Sequence, residues 1–317
     1  MMNRLIVLLG PTAVGKTKLS IALAKRLHTE IISGDSMLIY RGMDIGTAKP
    51  SLIEKDGIVH HLIDILEPNE EYSVVDFQQQ AAVLIDRLNK AGKIPILAGG
   101  TGLYVKALLE GYVFHEIQSD EVYRTYLTQL AKQQGNEKVH ALLAKVDPKA
   151  AQRLHVNDLR RVIRILEIHH LTRQGKQSKQ PEECQVPSQS LQYEASVIGL
   201  TMKRSLLYDR INQRVDRMVA AGLVEEVKRL LQSGLAVEAQ SMQAIGYKEI
   251  VLYLKGQMAL DDALMKMKQA TRHFAKRQLT WYRKMPYIQW FSVDAGRSEA
   301  QIVENIYQSI AEKFNLK

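Results

Sequence analysis

Gly10-Pro11-Thr12-Ala13-Val14-Gly15-Lys16-Thr17 carries the spacing G-x-x-x-x-G-K-[ST] of a phosphate-binding loop. Glycines at the ends of that spacing let backbone N–H groups converge on phosphate oxygens, and a following helix adds positive potential from its N-terminus. Lys16 would neutralise terminal phosphate charge, and the Thr17 hydroxyl would ligate Mg²⁺. Alone, the loop means a bound polyphosphate; it specifies neither phosphoryl transfer nor a nucleotide.

Other groups could act with it. Asp35, in Ser33-Gly34-Asp35-Ser36, closes a second apolar run, and ligands of open α/β sheets bind at that end of the strands. Its carboxylate could hold Mg²⁺, accept a proton or meet a base edge; equally, it could only cap the next turn. Gly99-Gly100-Thr101-Gly102-Leu103-Tyr104 is a second glycine-rich turn after a strand. Arg210, Arg214 and Arg217 fall at i, i+4 and i+7 on one helix face, where guanidinium groups could grip a pyrophosphate or an RNA backbone. In the simpler alternative they form a solvated face with Asp209 and Asp216 as partners. Arg160, Arg161 and Arg164 form a similar cluster. Strand Ile94–Ala98 runs into Gly-Gly where phosphoryl-transfer enzymes of this loop type place a Mg²⁺-binding carboxylate. That substitution favours phosphate as a leaving group.

The elements that must position these groups read as a parallel α/β sheet in the first third. Strands are predicted over Leu5–Leu9, Glu30–Ser33 and Lys93–Ala98, and helices over Thr17–Leu27, Ala81–Lys90 and from Thr101, itself a plausible cap. Helical spacing runs from His115 to Pro187, with a polar loop over Ser178–Ser190 and a returning strand at Tyr193–Leu200. After Lys203 the chain reads as almost wholly helical. The predicted class is α/β: a P-loop NTPase-like parallel sheet core flanked by helices (1–115 and 188–317), with a helical insertion domain (116–187).

Composition sets the bounds. The 317 residues are 46% hydrophobic and 24% charged, as in ordinary globular proteins. The single cysteine, Cys184, excludes a disulfide framework or a multi-cysteine zinc site within the chain and reads as a bystander thiol. The N-terminal apolar run is too short for a signal-peptide core or a membrane span, so a cytoplasmic protein without a membrane partner is expected. Of the net charge of +9, the stretch Thr201–Trp290, with 16 basic and 8 acidic residues, carries +8. Lys266, Lys268, Arg272, Lys276, Arg277, Arg283 and Lys284 occur there without an intervening acid, interleaved with Phe274, Trp281 and Tyr282. Such a face suits a phosphate backbone with bases to stack on; a solvated helix whose aromatics point inward is the alternative.

Taken in order, Gly10–Thr17, Asp35-Ser36 with Tyr40–Pro50, Gly99–Tyr104, Arg161–Glu167, Gln243–Lys248 and Ala275–Trp281 resemble the tRNA dimethylallyltransferase (tRNA isopentenyltransferase) family, bacterial type. Many relatives have Gln in place of Leu38 and Ala in place of Ile165. The resemblance implies transfer of a dimethylallyl group from dimethylallyl diphosphate to N6 of the adenosine 3′ of the anticodon, position 37 of tRNA. It implies Asp35 as general base, with Lys16, the loop amides, Mg²⁺ on Thr17, and Arg210 or Arg214 on the leaving pyrophosphate. Contact with the tRNA anticodon loop is implied for Asp35, Ser36, Met37, Leu38 and Thr101, for Arg124, Arg160, Arg161, Val162, Ile163 and Arg164, and for Gln243, Ala244, Ile245 and Gly246. The basic run adds Arg272 and Lys276, and a monomer is expected. Two alternatives stay open. One is a small-molecule P-loop enzyme, either an adenine-nucleotide prenyltransferase or a nucleoside kinase; the other is a non-catalytic RNA binder.

Overall fold

The computed structural model describes residues 2–114, 120–174, 190–294 and 296–316. Its elements run, in chain order, β1 (Arg4–Leu9), α1 (Lys16–Arg26), β2 (Ile31–Ser33), α2 (Leu52–Lys55), β3 (His60–His61), α3 (Val74–Lys90), β4 (Ile96–Gly99) and α4 (Gly102–Glu110). Next come α5 (Glu121–Gln134), α6 (Asn136–Val146), α7 (Pro148–Arg153) and α8 (Leu159–Arg173). The chain then forms β5 (Glu194–Thr201), α9 (Arg204–Ala220), α10 (Leu223–Gln232), α11 (Tyr247–Leu254), α12 (Leu260–Tyr282), β6 (Gln289–Ser292) and α13 (Glu299–Phe314). They divide between two compact units: residues 1–111 with 189–317, and residues 112–188. Cys184 and most of the polar stretch Ser178–Ser190 lie outside the described residues.

In the first unit a single six-stranded sheet has the order β3-β2-β4-β1-β5-β6, and every pairing is parallel. The α/β class read from the sequence holds. Central β1 is flanked by β4 and β5, with Val7 opposite Leu97 on one side and Val197 on the other. Leu5 to Leu9 are each 0% exposed, as expected of a strand covered on both faces. One face packs under α3, α4 and the α10–α12 region through Phe77, Ile85, Val105, Val227 and Met267. The other packs under α1 and α13 through Leu23, Ile306 and Phe314.

Three predicted elements differ. The strand expected from Lys93 begins only at Ile96, after Pro95, which has no N–H to give the ladder; the Pro95 carbonyl accepts from Ile6 N at 3.0 Å. Helix α3 starts at Val74 rather than Ala81, because Ser73 and Asp76 form a capping box ahead of Phe77. The almost wholly helical reading after Lys203 misses β6, an edge strand paired with β5, four residues long and with its two apolar residues, Trp290 and Phe291, adjacent rather than alternating.

The second unit packs α5 to α8 around Leu127, Val139, Leu143, Val162 and Leu166.

Candidate functional site

The first unit brings three turns to the carboxyl ends of neighbouring strands. Between β1 and α1 the phosphate-binding loop curls with Ala13 at φ +66° and Gly15 at φ +107°. The Ala13 conformation is one that residues with a Cβ seldom adopt, and such strain concentrates at ligand-binding turns. Lys16 Nζ donates to the carbonyls of Gly10 (2.8 Å) and Pro11 (2.9 Å), so the ammonium is held by its own loop. Although partly open to solvent, it is crowded by protein. That desolvation lowers its pKa to about 7; Asp35 opposes the shift and Arg214 adds to it.

Asp35 follows β2, and the turn after β4 lies against it. A Cβ on Gly99 would stand 2.4 Å from the Gly34 backbone, so only glycine permits this approach. Gly34 N donates to Ala98 O (2.9 Å), and Thr101 N returns a bond to Gly34 O (3.2 Å). Thr101 occupies the N-cap position of α4 without capping it. Its hydroxyl instead accepts from Ser36 N at 3.0 Å. Asp35 Oδ1 accepts from Met37 N at 2.9 Å, the turn-capping role open at the sequence level. Oδ2 lies 3.7 Å from the point where a Gly100 Cβ would stand. One oxygen therefore orients the carboxylate while the other fronts the second turn.

Helix α9 resolves its arginine face. Arg210 Nη1 is 3.4 Å from Val14 O, against the phosphate-binding loop. Arg214, one turn on, is crowded by protein and feels both Lys16 and Asp35; desolvation lowers its pKa, and Asp35 counters that. Arg217 is exposed and donates to Gln213 O. The apolar stripe of this helix, Leu207, Ile211 and Val215, is buried as its spacing predicts.

Sequence reasoning missed the groups that fix these turns. Gln278 of α12, 5% exposed, and the fully buried Tyr282 both reach Gly100 O, at 2.8 and 2.7 Å. Tyr282 is thus a core residue and not a surface for stacking bases; Trp281 also packs partly into the core. Glu226 of α10, 1% exposed, accepts from the amides of Asp44 (2.9 Å), Ile45 (2.8 Å) and Gly46 (3.0 Å) and from the Tyr247 hydroxyl (2.6 Å). It holds the Tyr40–Pro50 segment in shape. Glu226→Ala would strand those buried donors, so we expect a loss of about 3 kcal/mol or more of unfolding free energy in urea titrations. A loss below about 1 kcal/mol, the worth of one ordinary hydrogen bond, would mean the segment holds itself.

The other anticipated contact residues divide by exposure. Met37 packs against the core and Leu38 O accepts from Asp64 N. Gln243 is exposed; Ala244 and Ile245 pack against the core, and buried Gly246 donates to Glu249 Oε2 (2.7 Å). Arg272 donates to Asn212 Oδ1 (2.8 Å), while Lys276 is exposed. In the second unit, Val162 (0% exposed) and Ile163 (8%) are core residues of the helix that carries Arg160, Arg161 and Arg164. Glu167, wholly buried, pairs with Arg124 (2.7 Å) and Arg164 (2.5 Å), holding both guanidinium groups. Arg160 and Arg161 are exposed, Arg161 pairing with Asp158 at 3.3 Å. Arg161 and Arg164 also line a concavity of about 380 Å³ with Arg153, Leu154 and Ile165.

Among the described residues no group of three His, Cys, Asp or Glu side chains could hold a metal. Thr17 stands exposed in the first turn of α1. One hydroxyl fits a Mg²⁺ ion that keeps most of its water and arrives with phosphate oxygens.

Strand-end turns of this kind on a parallel sheet define an α/β protein with a P-loop-like fold. A family model described as IPP transferase matches residues 38–285. Along its full length the chain is 50% identical to a tRNA dimethylallyltransferase of Geobacillus thermodenitrificans, covering 99% of that protein. It is 51% identical to one of Geobacillus kaustophilus, again covering 99%. Among solved structures it is similar to the tRNA isopentenylpyrophosphate transferase of Bacillus halodurans, with a TM-score of 0.71 at 47% identity and 99% of each chain covered. It also matches a eukaryotic dimethylallyltransferase acting on tRNA, with a TM-score of 0.77 at 29% identity, over 99% of this chain and 79% of that one. The chain belongs to the IPP transferase family. The model match begins after Asp35, while the full-length relatives span the phosphate-binding loop as well.

Proposed function

We propose that the protein transfers the dimethylallyl group of dimethylallyl diphosphate to N6 of the adenosine at position 37 of tRNA, next to the anticodon, releasing pyrophosphate. The observation that carries this reading is the juxtaposition of Asp35 with Lys16 and Arg214, each lying within the other's electrostatic reach at the strand ends. The N6 nitrogen attacks the allylic C1, the N–C bond forms, and the C–O bond breaks with its electron pair leaving on pyrophosphate. Asp35 takes the N6 proton. Lys16, the loop amides and Arg210 stabilise the charge growing on the leaving group. When bound at Thr17, Mg²⁺ would neutralise further diphosphate charge. Arg124, Arg160, Arg161, Arg164 and Lys276 offer cations to the RNA backbone. Chemistry on a base requires it out of its stack, which an anticodon loop permits.

The small-molecule P-loop alternative is not favoured, because the relatives described above are named for a tRNA activity. The family resemblance and the tRNA activity of relatives support tRNA as substrate; dimethylallyl diphosphate as donor rests on the chemistry of the site. Incubation with labelled dimethylallyl diphosphate and Mg²⁺ should place label on undermodified tRNA and not on AMP. Label on AMP alone, or on neither acceptor, would overturn the proposal.

We expect Lys276→Ala to weaken tRNA binding and to lower the slope of log K against log salt by about 1, as for the loss of one phosphate contact. Binding isotherms at several salt concentrations measure this, and an unchanged slope would make Lys276 part of a merely solvated face.

A further inference from the structure

Gln278 bridges the two halves of the site. Its Oε1 accepts from Thr12 N in the phosphate-binding loop at 2.8 Å, and its Nε2 donates to Gly100 O at 2.8 Å. The Gly100 turn carries Thr101, whose N–H and hydroxyl bind Gly34 O and Ser36 N on either side of Asp35. These hydrogen bonds, joined by the backbone of the Gly100 turn, thus lead from the loop through one buried amide to the residues on either side of Asp35. A buried primary amide has a donor end and an acceptor end, and here each has a single backbone partner of the opposite kind. A Cβ on Gly100 would stand 2.6 Å from Gln278 Nε2, so the turn keeps no spare room around the amide. Tyr282 backs the same carbonyl at 2.7 Å, which leaves Gln278 as the group that ties it to the loop.

We propose that Gln278 is a positioning residue: its amide clamps the phosphate-binding loop to the Gly99–Thr101 turn and so sets the separation between the leaving diphosphate and the Asp35 carboxylate. This rests on the prenyl-transfer reading for its catalytic consequence, but not for the clamp itself. Removing the amide frees the two half-sites to move relative to one another. Each still binds its own ligand, while in-line attack across the gap is lost for most of the time.

Gln278→Met, close in volume and unable to make either bond, tests this in two ways. In single-turnover assays its prenyl-transfer rate should fall by about 10²-fold, the cost of an ångström-scale misplacement, with the Kd values for dimethylallyl diphosphate and for undermodified tRNA, each measured alone, almost unchanged. A residue that merely supports the fold would not separate rate from affinity in this way. The second readout needs no turnover: hydrogen exchange with inorganic pyrophosphate and Mg²⁺. In the unaltered protein, pyrophosphate should slow exchange both in the phosphate-binding loop and in residues 99–103; in Gln278→Met the slowing should stop at the loop. If Gln278→Met does not fold, Gln278→Asn, whose amide is one methylene too short to reach both partners, takes its place.

An unaltered rate in the variant, slowing that still reaches residues 99–103, or slowing that never reaches them in the unaltered protein would each overturn the clamp. Slowing that spreads as expected in a protein that transfers no label to tRNA would overturn the prenyl-transfer reading and leave the clamp standing.

Discussion

Replacing Asp35 by asparagine is expected to lower the single-turnover rate of prenyl transfer by about 10²–10⁴-fold, the usual worth of a general base, while tRNA affinity stays where it was. The asparagine carbonyl can still accept from Met37 N, the bond that Asp35 Oδ1 makes at 2.9 Å, so the turn should keep its shape. What disappears is the ability of the other oxygen to take up a proton. Adenine N6 is a poor nucleophile, and the proton it sheds must go somewhere as the N–C bond forms. Rapid-quench measurements with labelled donor give the rate, and filter binding gives the affinity. If both fell together, Asp35 would be reading the base edge and the proton would leave by another route.

The second large effect is at Lys16, and it has two signs. Lys16→Met should reduce prenyl transfer by about 10²–10³-fold, the cost of removing one preorganised donor from the charge that develops on the leaving group. The same variant should be more stable than the parent at neutral pH in Mg²⁺-free buffer. Crowding lowers the lysine pKa from 10.5 to about 7 in the folded protein. Between those two values the unfolded chain holds a proton that the folded chain does not, so the stability of the parent rises with pH across that window. The penalty is fully present below pH 7 and gone near 10.5. The melting-temperature advantage of Lys16→Met should therefore be largest at pH 7 or below and shrink toward pH 10. An advantage independent of pH would mean the methionine gains by packing and the ammonium is not desolvated. Activity and stability are thus opposed at this position, as is common where a site is built ahead of its ligand.

The local part of the site was legible in the sequence because its signals are local. The loop spacing at Gly10–Thr17, the strand before it, the carboxylate after β2 and the arginine periodicity in α9 each occupy one short window. Gln278 and Glu226 left no such trace. Each binds backbone groups far along the chain, 178 to 266 residues away, which almost any residue type at the partner position could supply. One signal was available: a polar residue on an otherwise buried stripe, Gln278 following Met267 and Ala275 and preceding Tyr282 in α12. A buried amide or carboxylate in that setting must have partners. The same accounting explains Tyr282, whose place in a basic run suggested a base-stacking surface, while its helical phase put it in the core. The edge strand β6 escaped because an edge needs neither alternation nor length once β5 supplies its ladder.

Gln192 has its own consequence. Its backbone N–H donates to Leu109 O at 2.8 Å, and its side chain lies against Gly111, where a Cβ would stand 2.7 Å away. The chain therefore leaves the sheet-bearing unit and rejoins it at neighbouring points. For that unit, everything between the two points is one closed excursion, and the entropy of closing such an excursion grows only with the logarithm of its length. The helical unit is accordingly a cassette: its size and surface can be rewritten without renegotiating the register of a single strand.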